Sequence, residues 1–395
     1  MINEKMRALG AVRSVIRELF EYGNKRRAVL GEDNVFDFSL GNPSVPSPCE
    51  VNASLIEIIN SESPTSLHAY TSAEGDLSVR KAISDYINRT YGESTTASCF
   101  YMTVGAAAAL AATLTALTTP GDEVIVPAPY FPEYKVFIER TGAKIVPVPT
   151  RADFSLDVEA IRAAITEKTA ALIVNSPNNP TGVVYTEENI RELSDMLREA
   201  SRGREPIYLV ADEPYRELVY GGASVPYLTK YYDDTVVCYS YSKSLSIPGE
   251  RIGYALVCPR IKNFTAVFQA IAGAGRALGY VCAPSLLQKL LPHCLGKTSD
   301  LAVYDKNRTL LYEKLTEYGY EVAPSRGAFY LFVKSPSGDG SELSERAKRF
   351  ELLIVPSESF GCEGYVRIAY CVPTEKIEKS LPAFKALIDS YKEER

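Results

Sequence analysis

The stretch CYSYSKSLSIPGERIGYALV, residues 238–257, sets Lys243 between two serines directly after an apolar run and places Arg251 eight residues further on. Cations are seldom put at the ends of buried strands without a partner. Positive charge beside a desolvated lysine lowers its pKa, leaving a neutral, nucleophilic amine, while the arginine and the serine hydroxyls suit an anion. Other apolar runs also end on residues that can do chemistry. After FYMTV come Gly105 and an alanine-rich helix whose free N–H groups form an anion site with close backbone approach. After EVIVPAP comes Phe131; after ALIV come Asn175, Asn178 and Asn179; after IYLV come Asp212 and Tyr215; after VVCY come Ser240, Ser242 and Lys243.

These residues need a scaffold that brings strand ends together. Seven short apolar runs, FYMTV, EVIVPAP, AKIVPVP, AALIVNSP, IYLVADEP, TVVCYSYS and RIGYALVC, follow one another from about residue 100. Several are separated by helical patterns: AAAALAATLTAL, LDVEAIRAAITE and EENIRELSDMLREA. This alternation predicts βαβ units and a mostly parallel sheet, an α/β fold whose ligands gather at the carboxyl ends of the strands. The last two runs are joined too closely for a crossover helix, which predicts one antiparallel strand. Ahead of the sheet, Val12, Val15, Ile16, Leu19 and Phe20 form one apolar stripe of an amphipathic helix, and FDFSLGNPSVPSP reads as a turn-rich link. Beyond residue 290 a long helical region through YEKLTEYG, a hairpin-like GAFYLFVKS and a terminal helix EKIEKSLPAFKALIDSYKEE predict a smaller α/β lobe.

Bulk properties narrow the function. A chain of 395 residues, 46% hydrophobic and 23% charged, suits two domains or one large domain with a companion. A net charge of −6 argues against a nucleic-acid or anionic-membrane surface, so any bound anion needs a local donor cluster. The eight cysteines are scattered with no C-x-x-C, and only His68 and His293 offer imidazole, so no metal site is expected. The charged N-terminus lacks the apolar core of a signal peptide, and no run approaches the ~20 apolar residues of a membrane span. The expected setting is the cytoplasm.

Taken singly, each feature has an ordinary reading: Asp212 could cap a helix, SPNNPTG is a respectable turn, and Phe131 and Tyr215 could be core. Taken together, they suit a phosphorylated aromatic aldehyde. The lysine forms a Schiff base, the cradle with Ser240 and Arg251 takes the phosphate, and the aspartate keeps a pyridine nitrogen protonated. A tyrosine and an asparagine reach a ring oxygen, and an aromatic ring stacks on the pyridine face. That ligand is pyridoxal 5′-phosphate.

Over nearly its whole length the chain resembles the class I/II, fold-type I pyridoxal-phosphate aminotransferases, aspartate aminotransferase-like. LGNP at 40–43, YTSAEGDLSVR at 70–80, TVGAAAAL at 103–110, NSPNNPTG at 175–182, DEPY at 212–215, SYSKSLSIPGER at 240–251 and GYVRIAY at 364–370 carry the resemblance. It implies a large domain over 46–288 with a mostly parallel seven-stranded sheet, and a small α/β domain from 1–45 and 289–395. It implies Lys243 as the Schiff-base lysine, Asp212 as the partner of the pyridine nitrogen, and Tyr215 and Asn179 on the ring hydroxyl oxygen. Ser240, Arg251 and the Gly105–Ala107 backbone, with Ser242 beside them, would hold the phosphate. Phe131 would stack where many relatives carry tryptophan, and Arg367 would grip the substrate α-carboxylate with Asn179 and the Gly41 backbone. Tyr70 would reach the phosphate of a neighbouring subunit's cofactor, implying a homodimer with shared active sites. The implied reaction is ping-pong transfer of an amino group between an L-amino acid and a 2-oxo acid.

Several alternatives stay open. The same scaffold supports C–S lyases of the cystathionine β-lyase kind, which share the lysine, aspartate and arginine. Ser240-x-x-Lys243 also matches the S-x-x-K of serine acyl-transferring enzymes, but neither S-D-N nor K-T-G is present. Regulators with aminotransferase-like domains carry an added DNA-binding module for which this chain has no room. For side-chain preference, Ala107 stands where several bacterial aspartate enzymes carry a lysine. Arg276 lies near the position of a carboxylate-binding arginine, but its flanking motif differs and suits an ordinary surface residue.

Overall fold

The computed structural model of the chain describes residues 2–11 and 14–392. All seven apolar runs are strands of one sheet: β1 Phe100–Thr103, β2 Glu123–Ala128, β3 Lys144–Pro149, β4 Thr169–Asn175, β5 Tyr208–Asp212, β6 Thr235–Ser240 and β7 Gly253–Val257. Their order is β1-β7-β6-β5-β4-β2-β3. Only β7 runs antiparallel to its neighbours, β1 and β6, as its short connection to β6 requires. The central strands read as continuous apolar runs because both faces are covered. Along β4, Leu172 and Val174 join the apolar core on one face while Ala171 and Ile173 join the core on the other. The helices Ala106–Leu117 and Glu187–Ala200 fall on the predicted stretches, and Val158–Ala164 lies within its predicted run.

A third apolar core gathers Phe38, Tyr304, Leu311, Leu331, Ile368 and Phe384. It packs on a three-stranded sheet in the order Val355–Pro356, Tyr365–Ala369, Tyr330–Lys334 and on the helices Leu301–Tyr318 and Thr374–Lys392. Phe36–Asp37 pairs in parallel with Leu352–Leu353, so the segment before the large sheet is tied to this later core. Two expectations change. GAFYLFVKS is not a local hairpin: Tyr330–Lys334 pairs antiparallel with Tyr365–Ala369, and the turn after it feeds the helix Gly340–Ala347 instead of a return strand. Its nearer neighbour contributes one isolated bridge, Val322 with Val333. The N-terminal stripe belongs to a helix that starts at Val15, capped by the Ser14 hydroxyl, with a separate helix Glu4–Ala11 ahead of it. Leu19 is buried against Val355 and Phe360, with Val15 and Ile16 alongside, whereas Val12 lies outside the described residues.

The parallel strands bring their carboxyl ends to one edge. Asn175 ends β4 and pairs in register with Asp212, the last residue of β5. Ser240 ends β6 opposite Gly253 of β7. A Cβ at Gly253 would stand 2.2 Å from the Tyr239 carbonyl oxygen and 3.1 Å from Gly105 Cα, so only glycine lets these three backbone segments meet. Gly253→Ala is expected to cost about 1–3 kcal/mol in urea unfolding, as overpacking against fixed backbone does, and an unchanged midpoint would contradict this packing.

Candidate active site

A cavity of ≈ 280 Å³ opens at this edge, and twelve of the predicted residues line it: Gly41, Ala106, Ala107, Phe131, Asn179, Asp212, Tyr215, Ser240, Ser242, Lys243, Arg251 and Arg367. Gly105 stands directly behind it, at φ +89°, where a Cβ would meet the Arg251 guanidinium at 2.6 Å. Tyr70 is different. It is 87% exposed and lies outside the lining of this cavity. Arg276 is likewise exposed, at the end of the helix Phe264–Ala277.

Asp212, among the lining residues, is 4% exposed. Its Oδ2 accepts a hydrogen bond from the Tyr134 hydroxyl and a longer one, 3.4 Å, from the Asn175 amide, which also donates to the Asp212 carbonyl at 2.8 Å. Oδ1 is buried and has no partner among the described residues. Burial pushes the carboxyl up to about 7, opposed by the Tyr134 hydrogen bond. A buried carboxylate oxygen with nothing to bind is costly, and a cationic N–H donor entering the cavity would satisfy it.

The amine of Lys243 is carried on the one-turn helix Tyr241–Ser244 that follows β6. Its Nζ donates to the Gly41 carbonyl at 2.7 Å and sits 5.4 Å from the Phe329 ring centre. Burial lowers its pKa to about 8, and the charges of Arg251 and Arg367 push the same way. It therefore carries a substantial neutral fraction near neutrality, as a nucleophile or base requires.

The same cavity is lined by anion donors. Ala106 and Ala107 open a twelve-residue helix whose N-cap, Gly105, offers no side chain to the first-turn N–H groups. The Ser240 and Ser242 hydroxyls are 2.8 Å apart, and Arg251 donates to Ser242 Oγ at 3.2 Å. Helix N-terminus, hydroxyls and guanidinium thus converge on one anion-sized spot.

The last wall comes from the other core. Arg367, on Tyr365–Ala369, is 2% exposed; its guanidinium donates to Asn179 Oδ1 at 3.0 Å and to the Ser39 carbonyl at 2.6 Å. Its Nε is buried without a partner among the described residues. Asn179 is held by its own N–H on Asn175 Oδ1, 2.7 Å away. The Tyr215 hydroxyl is 2.9 Å from that of Tyr330. Sequence reasoning missed Tyr134, Tyr330 and the roles of Asn175 and Ser39. Asn175 had a visible signal, its position at a strand end. Tyr134 lies three residues beyond Phe131 in the segment after β2, and Tyr330 comes from a distant strand, so neither spacing revealed its partner.

The residues gathered in this cavity fit a pyridoxal phosphate group: a carboxylate and a guanidinium each with one buried atom left unpartnered among the described residues, a low-pKa amine, and an anion cradle. The sequence model of the family "Aminotransferase class I and II" matches residues 33–384, and the chain belongs to that family. An amino transferase of known structure from Eubacterium rectale is 52% identical, with a TM-score of 0.97 over 99% of both chains. The Thermus thermophilus aspartate aminotransferase with maleate is 27% identical, with a TM-score of 0.87 over 98% of this chain and 100% of its own. A "Probable aspartate/prephenate aminotransferase" of Thermus aquaticus is 34% identical over 80% of this chain and 82% of its own length. The fold is therefore that of the fold-type I enzymes, and the chain is a pyridoxal-phosphate-dependent aminotransferase acting on amino and 2-oxo acids.

The Asp212 carboxyl gives a testable signature in the cofactor-free protein. Its folded pKa lies above its unfolded value, so the unfolded state releases its proton first and stability falls as pH rises from about 4 to about 7. Asp212→Asn should remove its share of that slope in thermal melts, and an unaltered slope would place the group in a solvated setting.

Proposed function

We propose that Lys243, Asp212 and the cradle hold pyridoxal 5′-phosphate in this cavity, and that the chain moves an amino group between an L-amino acid and a 2-oxo acid in two half-reactions. The observation that carries this reading is the unpaired Asp212 Oδ1 sharing one cavity with the low-pKa amine of Lys243. When bound, the cofactor supplies an electron sink beside the substrate Cα and carries the amino group between the two half-reactions. Asp212 keeps a proton on the pyridine nitrogen. Lys243 would hold the aldehyde carbon and, once released by substrate, would take the Cα proton of the amino acid in one half-reaction and give a proton to Cα of the 2-oxo acid's carbon skeleton in the other; the Gly41 carbonyl orients the amine. Ser240, Ser242, Arg251 and the backbone at Gly105–Ala107 bind the phosphate, Phe131 covers the ring, and Tyr215 with Asn179 serves its hydroxyl oxygen.

Arg367 grips the substrate α-carboxylate, the free Nε marking its unused bonding capacity. Its Asn179 contact and the Lys243–Gly41 contact both join the proposed large domain, 46–288, to the proposed small one, 1–45 with 289–395. Substrate is thus held across that boundary. Tyr70, exposed on this protomer, would serve the phosphate of a second copy, making a homodimer the working unit. All eight cysteines are free, which supports a cytoplasmic setting, and among the described residues no helix is long and apolar enough to cross a membrane.

Spectroscopy of the purified protein tests this reading. A visible cofactor band should bleach with an amino acid donor and return with a 2-oxo acid. Release of pyruvate and ammonia from cystathionine without an acceptor would instead favour C–S lysis. Lys243→Ala should lose both the band and turnover, and a variant keeping both would overturn the assignment. Arg367→Lys, which exchanges a planar fork for a point charge, should raise KM for both substrates about tenfold or more with a smaller change in kcat. Unchanged constants would remove Arg367 from the site.

A further inference from the structure

Beside the turn that carries Lys243, two of whose residues, Tyr241 and Ser244, line it, lies a chamber of ≈ 20 Å³ bordered also by Arg216, Glu217, Tyr227 and Tyr239. Glu217 is partly exposed as a residue, yet its Oε2 is buried and without a partner among the described residues, and so is the Tyr227 hydroxyl. Such a volume holds one water molecule, which needs about 10–15 Å³ and two to four polar partners. Two orphaned polar atoms bordering one water-sized space supply both conditions.

The charge balance around the chamber identifies the state of the carboxyl. Arg216 lines it, but its guanidinium is committed: it donates to both carboxylate oxygens of Glu213 and to the Val225 and Pro226 carbonyls, each at 3.1 Å. It also lies 5.3 Å from the Tyr91 ring centre and 4.6 Å from that of Tyr227, two rings that stack on each other 4.5 Å apart. Lys297, on the outer lip, is paired with Glu50 at 2.7 Å. The remaining titratable neighbours are Tyr86, Tyr239, Tyr241, Tyr254 and Cys294, all neutral near neutrality. Glu217 has no cation to itself, and the Arg216 guanidinium discourages a metal ion from entering. Burial pushes its carboxyl up to about 7.

The chamber also touches the catalytic turn. Tyr239 lines the same chamber as Glu217, so a water held there links the two. The Tyr239 hydroxyl lies 3.1 Å from Ser244 Oγ. Ser244 follows Lys243 in the turn Tyr241–Ser244, and its carbonyl accepts from the Ser299 N–H at 2.8 Å. We propose that an uncharged Glu217 carboxyl binds one internal water with the Tyr227 hydroxyl and, through Tyr239 and Ser244, braces the turn that carries Lys243. Glu217 is then a positioning residue acting on the amine through that turn. The bracing half rests on Lys243 being the cofactor lysine; the water and charge state do not.

Three variants of the holoenzyme, Glu217→Gln, Glu217→Leu and Tyr239→Phe, test this with three readings: thermal midpoint at about pH 5 and pH 8, the pH midpoint of the cofactor band, and kcat against KM. A neutral carboxyl is mimicked by an amide, so Glu217→Gln should keep the band's titration and kcat within about twofold of the parent. It should also remove Glu217's share of the parent's loss of stability over that pH rise, because the raised folded pKa makes the acid stabilising only while protonated. Glu217→Leu and Tyr239→Phe should move the band's titration and lower kcat about fivefold, one hydrogen bond's worth, with KM little changed. Should the leucine variant fail to fold, Tyr239→Phe alone decides. Glu217→Gln failing alongside Glu217→Leu would show a working carboxylate and overturn the proposal, as would an unmoved band and kcat in Tyr239→Phe. If the Lys243→Ala experiment fails, the band loses its meaning, but the thermal reading still decides the charge state.

Discussion

A carboxylate oxygen shut away from water and left unpaired weakens any fold that contains it, and this fold keeps one at the tip of its central strand. Asp212 lines the cavity; its Oδ2 is satisfied by Tyr134 and Asn175, while Oδ1 is buried with no partner among the described residues. The mismatch is tolerable because apolar cores cover both faces of the sheet that carries it, and because burial raises the carboxyl's pKa so that it can take up a proton. It makes sense as a site built around a cationic ring nitrogen. The lone Nε of Arg367 follows the same logic for a carboxylate. Stability is given up at the two atoms that wait for a ligand.

Sheet topology turns these local costs into one site. Six parallel strands deliver Asn175, Asp212 and Ser240 to a single edge, and the antiparallel β7 returns the chain so that Arg251 and Gly253 close on Gly105. The second core supplies what the sheet cannot. Arg367 and Tyr330 come from its small sheet and Gly41 from the segment paired ahead of it, so the residues proposed to hold substrate and those proposed to hold the cofactor ring rest on different hydrophobic foundations. Motion between those foundations would alter the grip of Arg367 without disturbing Asp212.

Much of this was legible in the amino-acid order, for a physical reason. Strands buried on both faces appear as unbroken apolar runs, so all seven could be delimited, and a polar residue at the end of such a run stands out. Asp212, Asn179, Ser240, Lys243 and Phe131 were visible in that way. Contacts made across long sequence separations were not. Nothing near Tyr134 announces that its hydroxyl reaches a residue 78 positions later, and nothing near Tyr330 points to Tyr215. GAFYLFVKS misled because strand pairing in the small sheet is non-local, whereas a hairpin is the cheapest guess for an isolated strand. Arg367 and Gly41 were reached only through family resemblance, since an arginine inside a short strand otherwise reads as an edge residue.

The central claim, that a buried carboxylate is matched to a protonated ring nitrogen, can be read on that nitrogen. The ¹⁵N chemical shift of ring-labelled pyridoxal 5′-phosphate bound to the protein should report a protonated nitrogen from about pH 6 to about pH 9, well beyond the free cofactor, and should lose that protonation in Asp212→Ala. A nitrogen that titrates in the wild-type protein as it does in water would contradict the account.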